Sequence, residues 1–152
     1  MPEAPTPAPT ASWLHRWRSR RVEVRDDSMR PILWPGDRLL VDPRVYRDQP
    51  PSVGHVVVIV DPADRSRWLV KRVAAVGPGS WERTAEGLRP AGEREGRPSA
   101  TERVDLPRGA VWVLGDTPES SRDSRRFGPV LRDGIVGRAY CCYAPVDRRK
   151  VL

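Results

Sequence analysis

A mainly β domain, built on a small and strongly curved antiparallel sheet or barrel, is the fold class this sequence predicts. Three observations lead there. Short valine-rich apolar runs recur along the chain: RVEV (21–24), DRLLVD (37–42), HVVVIV (55–60), WLVKRVAAV (68–76), AVWVLG (110–115) and IVGRAYCCY (135–143). Pro-Gly and Gly-Asp pairs punctuate these runs, and such pairs reverse a chain between strands. Beyond residue 21 no long segment repeats its apolar residues at the helical period, so helices do not compete for the core.

With 152 residues the chain supplies one domain with a real core. Residues 1–11, MPEAPTPAPTA, form a Pro/Ala/Thr tail that cannot bury enough apolar surface to fold. Residues 12–21, SWLHRWRSRR, read as a short amphipathic helix capped by Ser12, with Trp13 and Trp17 one turn apart. Its arginines suit a membrane interface, and its tryptophans suit docking on the domain equally well. The domain proper spans 22–146, with a polar, Gly/Pro-rich excursion at 80–108 that is expected to be flexible and to carry one hairpin. Residues 147–152 are expected to be a tail. In WLVKRVAAV the strand period puts Lys71 on one face with Leu69 and Val73, and Val70 and Arg72 on the other.

Composition narrows the function. Among 27 basic residues only Lys71 and Lys150 are lysine, and proline occurs 17 times, a bias that fits a GC-rich genome. A lysine kept inside an apolar strand raises a chemical question, because a buried lysine can lose its proton and an arginine cannot. The net charge of +7 would tolerate an acidic partner, yet the charge is scattered among acids and no nucleic-acid-binding motif accompanies it. Nucleic acid is therefore not the expected partner. No stretch approaches 18 consecutive apolar residues, and no apolar signal-peptide core follows a basic start. Cys141 and Cys142 are adjacent and point to opposite faces of a strand, so they are expected to be free thiols, one of them buried, with no metal site.

Three segments carry the chemistry in chain order. DDSMRPILWPGDRLLVD (26–42) holds Ser28 and a Gly36-Asp37 turn entering a strand; LVKRVAAVGPG holds Lys71 and Arg72; LGDTPESSRDSRRFGPV (114–130) is a strand running into a loop dense in Ser, Asp and Arg. A serine hydroxyl is a poor nucleophile until a base takes its proton. Lysine is such a base only when neutral, which burial among apolar side chains favours. Taken without the third segment, Ser28 reads equally well as a turn residue and Lys71 as a side chain snorkelling to solvent.

This ordered set resembles the type I signal peptidase family, serine peptidases that work with a Ser/Lys dyad, over roughly residues 22–143. The resemblance implies a signal-peptidase-type β fold, Ser28 as nucleophile and Lys71 as base. It also implies the backbone N–H of Ser28 as an oxyanion donor, and Ser121 as the hydrogen-bond partner that holds the lysine toward Ser28. In the family's pattern GDNxxxSxDSRxxG this chain reads Gly115, Asp116, Thr117, Ser121, Asp123, Ser124, Arg125 and Gly128. Asp123 with Arg125, and Arg72 with Asp116, are expected as ion pairs bracing the site. Thr117 stands where the family has Asn, in a position expected to be structural. Asp26 stands where the family tends to carry Ser or Gly, and a carboxylate there opposes a developing oxyanion unless it turns outward or is protonated.

The family's usual transmembrane anchor is missing from the pattern, and the segment between Lys71 and Gly115 leaves little room for its larger second domain. No metal or organic cofactor is implied. The expected partner is a protein substrate with an N-terminal extension and small residues near the cleavage site. Its extended chain would pair with an exposed strand edge. Peripheral membrane contact through Trp13, Trp17, Trp34 and the arginines is a further expectation, with a cytoplasmic or peripherally membrane-associated location in a bacterium. Alternatives within the dyad chemistry are maturation of a nickel-type superoxide dismutase, which resembles the small anchorless members, and a self-cleaving regulator. Outside it stands an inactive protease fold kept as a binding module.

Overall fold

The structure is a computed structural model that describes residues 19–84, 87–92 and 102–152. The tail at 1–11 and positions 12–18 of the expected helix lie outside these residues. The end of that stretch is not helical: Arg20 and Arg21 open strand β1 (Arg20–Glu23), which pairs antiparallel with β2 (Arg38–Asp42), Arg20 opposite Val41 and Arg21 opposite Leu40. The unpaired edge of β2 captures this segment and satisfies its backbone groups, and that outweighs local helix preference.

The remaining strands are β3 (Val56–Val60), β4 (Trp68–Val76), β5 (Gly79–Thr84), β6 (Gly87–Pro90), β7 (Arg103–Leu106), β8 (Ala110–Leu114), β9 (Val130–Leu131), β10 (Ile135–Ala144) and β11 (Lys150–Val151). The main sheet runs β1-β2-β10-β3-β4-β8-β9, with β11 added on β10, and all of its pairings are antiparallel. The register shifts along β10 and between Val73 and Ala75 of β4. Such bulges bend a strand and increase its twist, which is how a short sheet becomes strongly curved.

VVVIV is apolar throughout because β3 is buried on both faces. Val56 and Val58 join a core with Val24, Met29, Leu33, Leu39, Val41, Ala139 and Cys142. Val57 and Ile59 join another with Tyr46, Leu69, Val73, Val111, Val113 and Val130. β4 instead alternates buried and half-buried along its length, with Leu69, Lys71, Val73 and Ala75 on the covered face. Cys141 and Cys142 are free thiols, the second of them buried.

Two expectations are corrected. The excursion at 80–108 is a second sheet, β6-β5-β7, rather than one hairpin in a flexible segment; positions 85–86 and 93–101 lie outside the described residues. It shares a core with the main sheet, in which Val104 and Leu106 of β7 meet Ala75 of β4 and Trp112 of β8 with Trp81 and Leu88 against them, and this explains why so polar a stretch folds where described. Residues 147–152 are likewise no loose tail. β11 pairs with Cys141 and Cys142 of β10, and Leu152 N–H donates to the Tyr140 carbonyl at 3.0 Å. Arg148 Nε donates to the fully buried Asp37 carboxylate at 2.6 Å, and Asp37 in turn accepts from the Trp34 N–H at 2.9 Å. A buried carboxylate without its cation is costly.

Removal of residues 147–152 should therefore lower the thermal unfolding midpoint and loosen the loop around Trp34. Thermal unfolding followed by circular dichroism checks this, and an unchanged midpoint would contradict the role given to Arg148 and β11.

Candidate active site

Ser28 lies in the loop between β1 and β2, and the loop is anchored rather than hung. Met29 and Leu33 are fully buried in the core beneath it, each contributing about 1.5–3 kcal/mol by the usual value for burying such side chains. Leu33 N–H donates to the Met29 carbonyl at 2.8 Å, and Gly36 N–H to Val24 at 2.8 Å, closing the loop on itself. Ser28 is thereby held at 1% exposure, where a turn serine on the surface would be wet.

Lys71 arrives from the middle of β4, flanked by β3 and β8, with Val57 directly opposite. It is also 1% exposed, so it does not snorkel. Its Nζ lies 2.7 Å from Ser28 Oγ, a contact between side chains 43 residues apart in the chain. Burial pulls the ammonium below its ordinary value of 10.5; Asp26 and Asp123 act in the opposite sense, and Arg122 and Arg125 reinforce the lowering.

The third segment forms the wall of the site. β8 ends at Leu114, which is in register with Arg72, so Asp116 two residues on meets the Arg72 guanidinium in a bidentate pair, 2.8 Å at each contact. Arg72 also donates to the Gly54 carbonyl at 2.9 Å, tying the turn before β3 to the same point. Thr117 clamps the serine loop twice, its N–H donating to the Ser28 carbonyl and its hydroxyl to the Arg30 carbonyl, both at 2.9 Å. Thr117, expected to be structural, thus ties the 114–130 segment to the serine loop.

Asp123 is the hub of the wall and is completely buried. Its carboxylate accepts from Gly115 N–H at 2.9 Å, from Ser121 Oγ at 2.7 Å, and from Arg125 Nε and Nη2 at 2.9 and 2.7 Å. Burial alone would raise this carboxyl, but the Arg125 guanidinium, the Gly115 N–H, the Ser121 hydroxyl and the Arg125 backbone N–H hold it below the ordinary carboxylate value. Asp123 also caps the short helix α1 (Ser124–Phe127), which ends at Gly128 with φ of 80°, a conformation glycine adopts without strain. Ser124 Oγ accepts the Val113 N–H at 2.9 Å and pins α1 to β8.

Ser28 and Lys71 are thus brought together, and both expected ion pairs form. Ser121 departs from expectation: its hydroxyl donates to Asp123, and no hydrogen bond joins it to Lys71 among the described residues. The buried Asp123 carboxylate lies two residues away, and a charged acceptor outcompetes an amine for a hydroxyl proton. Asp26 does not turn outward. Its Oδ1 accepts the Ser28 N–H at 3.0 Å, the same N–H expected to serve as oxyanion donor. The pattern gave no sign of Arg122, which pairs with the buried Asp61 at the end of β3, because a lone Asp in a turn carries no signal of its partner.

Gly115 permits the close approach of wall and serine loop. A Cβ there would collide with Ser121 Oγ and lie 2.7 Å from the Ser28 carbonyl oxygen. Gly115→Ala should therefore displace Ser28 from Lys71 and lower turnover by about 10²-fold, the usual effect of a 1 Å misplacement. Steady-state rates beside a circular dichroism spectrum check this, and full activity in a folded variant would contradict it.

Comparison with known proteins places the chain. The family described as signal peptidase, peptidase S26, matches residues 13–102 and 81–144. A protein named probable signal peptidase I-1, from Synechocystis, is 32% identical over 143 residues, covering 82% of this chain and 71% of its own length. The mitochondrial ATP-independent inner membrane protease subunit 1b of Arabidopsis thaliana is 36% identical over 112 residues, covering 73% of this chain and 62% of its own. A solved signal peptidase I from Enterococcus faecalis is 19% identical with a TM-score of 0.47, covering 59% of this chain and 97% of that one. No helix among the described residues is long and apolar enough to cross a membrane. The chain belongs to the signal peptidase family, peptidase S26, and is a serine-type peptidase.

Proposed function

We propose that this protein is an endopeptidase that removes an N-terminal signal or pro-segment from a protein substrate, with Ser28 as nucleophile and Lys71 as general base. The 2.7 Å contact between two fully buried side chains carries this reading. When Lys71 is an ammonium its Nζ donates to Ser28 Oγ; once it is neutral the direction reverses and the hydroxyl donates to Nζ. Ser28 Oγ then bonds to the substrate carbonyl carbon as its proton passes to Nζ. Collapse of the tetrahedral intermediate breaks the C–N bond, and Lys71 gives the proton to the leaving amine. Water, deprotonated by the neutral Lys71, attacks the ester, and the proton returns to Ser28 Oγ as the acid product leaves.

Arg72–Asp116 and the Asp123 hub brace these two groups and are structural in this scheme. Ser121 supports the site through Asp123. β1 is an edge strand of the main sheet and leads directly into the Ser28 loop, which suits an extended substrate adding alongside it. Small residues near the scissile bond follow from the family. Ile32 and Trp34, 41% and 40% exposed on the same loop, with Arg30 over the Trp34 ring at 4.0 Å, favour a peripheral membrane contact beside the site. No residue of the site selects the narrower role of maturing a nickel-type superoxide dismutase. A self-cleaving regulator has no support here. An inactive binding module would have no use for a dry Ser/Lys pair.

A serine-reactive lipopeptide probe, long enough to occupy several substrate subsites, should label the wild type and leave Ser28→Ala unlabelled. Equal labelling of the two would contradict the reading. Lys71→Arg should reduce turnover by about 10²–10⁴-fold, the usual worth of a general base, because guanidinium stays charged.

A second expected outcome concerns pH. A base with a lowered proton affinity is protonated and idle below its folded pKa, so kcat/KM should rise with pH through a limb centred below lysine's ordinary 10.5. A pH–rate profile flat across that region, or rising only above 10.5, would remove Lys71 from the role.

A further inference from the structure

The serine loop contains one contact that works against the reaction. The Ser28 N–H is the donor that a tetrahedral oxyanion on the Ser28 acyl centre needs, and Asp26 Oδ1 already holds it at 3.0 Å. An ionised carboxylate only accepts, so Asp26 contributes no donor of its own. It is also a stronger acceptor than the neutral carbonyl of a bound substrate, which therefore competes poorly for the same hydrogen. If the carboxylate stayed in place as charge developed, two anions would share one N–H.

Asp26 acts on the base in the same sense. After burial, it is the leading influence on Lys71 and favours the ammonium. Asp123 does so too, but its charge is matched by the bidentate Arg125, whereas no ion pair to Asp26 exists among the described residues. Arg122 and Arg125 oppose both acids at Lys71. The side chain of Asp26 has somewhere to go, because the residue is exposed to solvent while its neighbours Ser28 and Met29 are buried. Rotation outward would free the donor without moving the backbone clamped by Thr117.

We propose that Asp26 is a positioning residue that keeps the Ser28 oxyanion donor closed in the resting enzyme, and that substrate binding must turn this carboxylate out to solvent before acylation. The proposal rests on the Ser28/Lys71 peptidase reading. It deepens that reading into a selectivity device. A long substrate held along several subsites has binding energy to spend on opening the donor, whereas a small acyl compound has none. The free enzyme is thereby guarded against adventitious acylation.

The test uses p-nitrophenyl acetate as the small acyl donor. Acetylation of Ser28 is followed by intact-protein and peptide mass spectrometry across pH in wild type, Asp26→Ala and Asp26→Asn, with Ser28→Ala as blank. Asp26→Ala frees the donor and removes the charge, so it should acetylate at least about 10-fold faster on the plateau, a cautious share of the 10²–10³ that one oxyanion donor supplies. Its ascending limb should also move to lower pH. Asp26→Asn removes the charge but keeps an amide oxygen able to accept the Ser28 N–H, so its limb should move while its plateau gains less. A residue that merely stabilised the loop would instead show slower acetylation and an unmoved limb when replaced.

The gain from Asp26→Ala should also be smaller with a long peptide substrate than with the ester. An Asp26→Ala plateau no faster than wild type, or limbs that coincide in all three proteins, overturns the proposal while leaving the dyad intact. If Asp26→Ala fails to fold, an Asp26→Asn limb that coincides with wild type overturns it alone. If wild type and both variants leave Ser28 unlabelled, the peptidase reading fails first and this proposal fails with it.

Discussion

Everything at this site depends on keeping Lys71 dry beside Ser28. Desolvation is the leading influence that pushes the amine toward its neutral form, with Arg122 and Arg125 reinforcing it, and it requires β4 to be covered along the face shared by Leu69, Lys71 and Val73. That cover comes from the fold as a whole: β3 and β8 flank β4, and Val57, Ile59, Val111 and Val113 pack in the same core as Leu69 and Val73. A sheet wet on one side could not hold a lysine in this state. The serine loop completes the seal, with Met29 and Leu33 sunk into the core on which it rests.

The second requirement is geometric. A buried pair is useful only if its two members, carried by different elements, stay within hydrogen-bond reach. The 115–128 segment meets this with a dense set of short contacts: Thr117 on the serine loop, Asp116 on Arg72, and Asp123 gathering Gly115, Ser121 and Arg125. Removing Arg125 would take the cation away from a completely buried carboxylate, and the cost of that is larger than the net worth of the bonds. The same logic explains why the wall is rich in Ser, Asp and Arg although the chemistry needs only one hydroxyl and one amine.

Much of this was legible in the sequence. Valine-rich runs between turn pairs located most strands of the main sheet, and period-two alternation placed Lys71 on the covered face with Leu69 and Val73. The resemblance to the signal peptidase pattern over 115–128 led to the Asp123–Arg125 and Arg72–Asp116 pairs, and both form. Rotamers and edges were not legible. Ser121 could reach either Lys71 or Asp123, and spacing does not say which acceptor is stronger. Asp26 could face in or out, and only the local turn geometry decides. β5 is half-buried for most of its length and β9 and β11 are two residues long, so none carries a readable alternation. The end of the chain is held by a long-range pair, Arg148 with Asp37, for which sequence offers no cue.

The protonation state of Lys71 tests the account most directly, and the composition makes it accessible, since Lys71 and Lys150 are the only two lysines. Titration of the lysine side-chain signals by nuclear magnetic resonance, with Lys150→Arg for assignment, follows Lys71 alone in the folded protein. The account predicts that Lys71 loses its proton below lysine's ordinary 10.5 while the sheet remains intact. A Lys71 signal that titrates at or above 10.5 in the folded protein would contradict it.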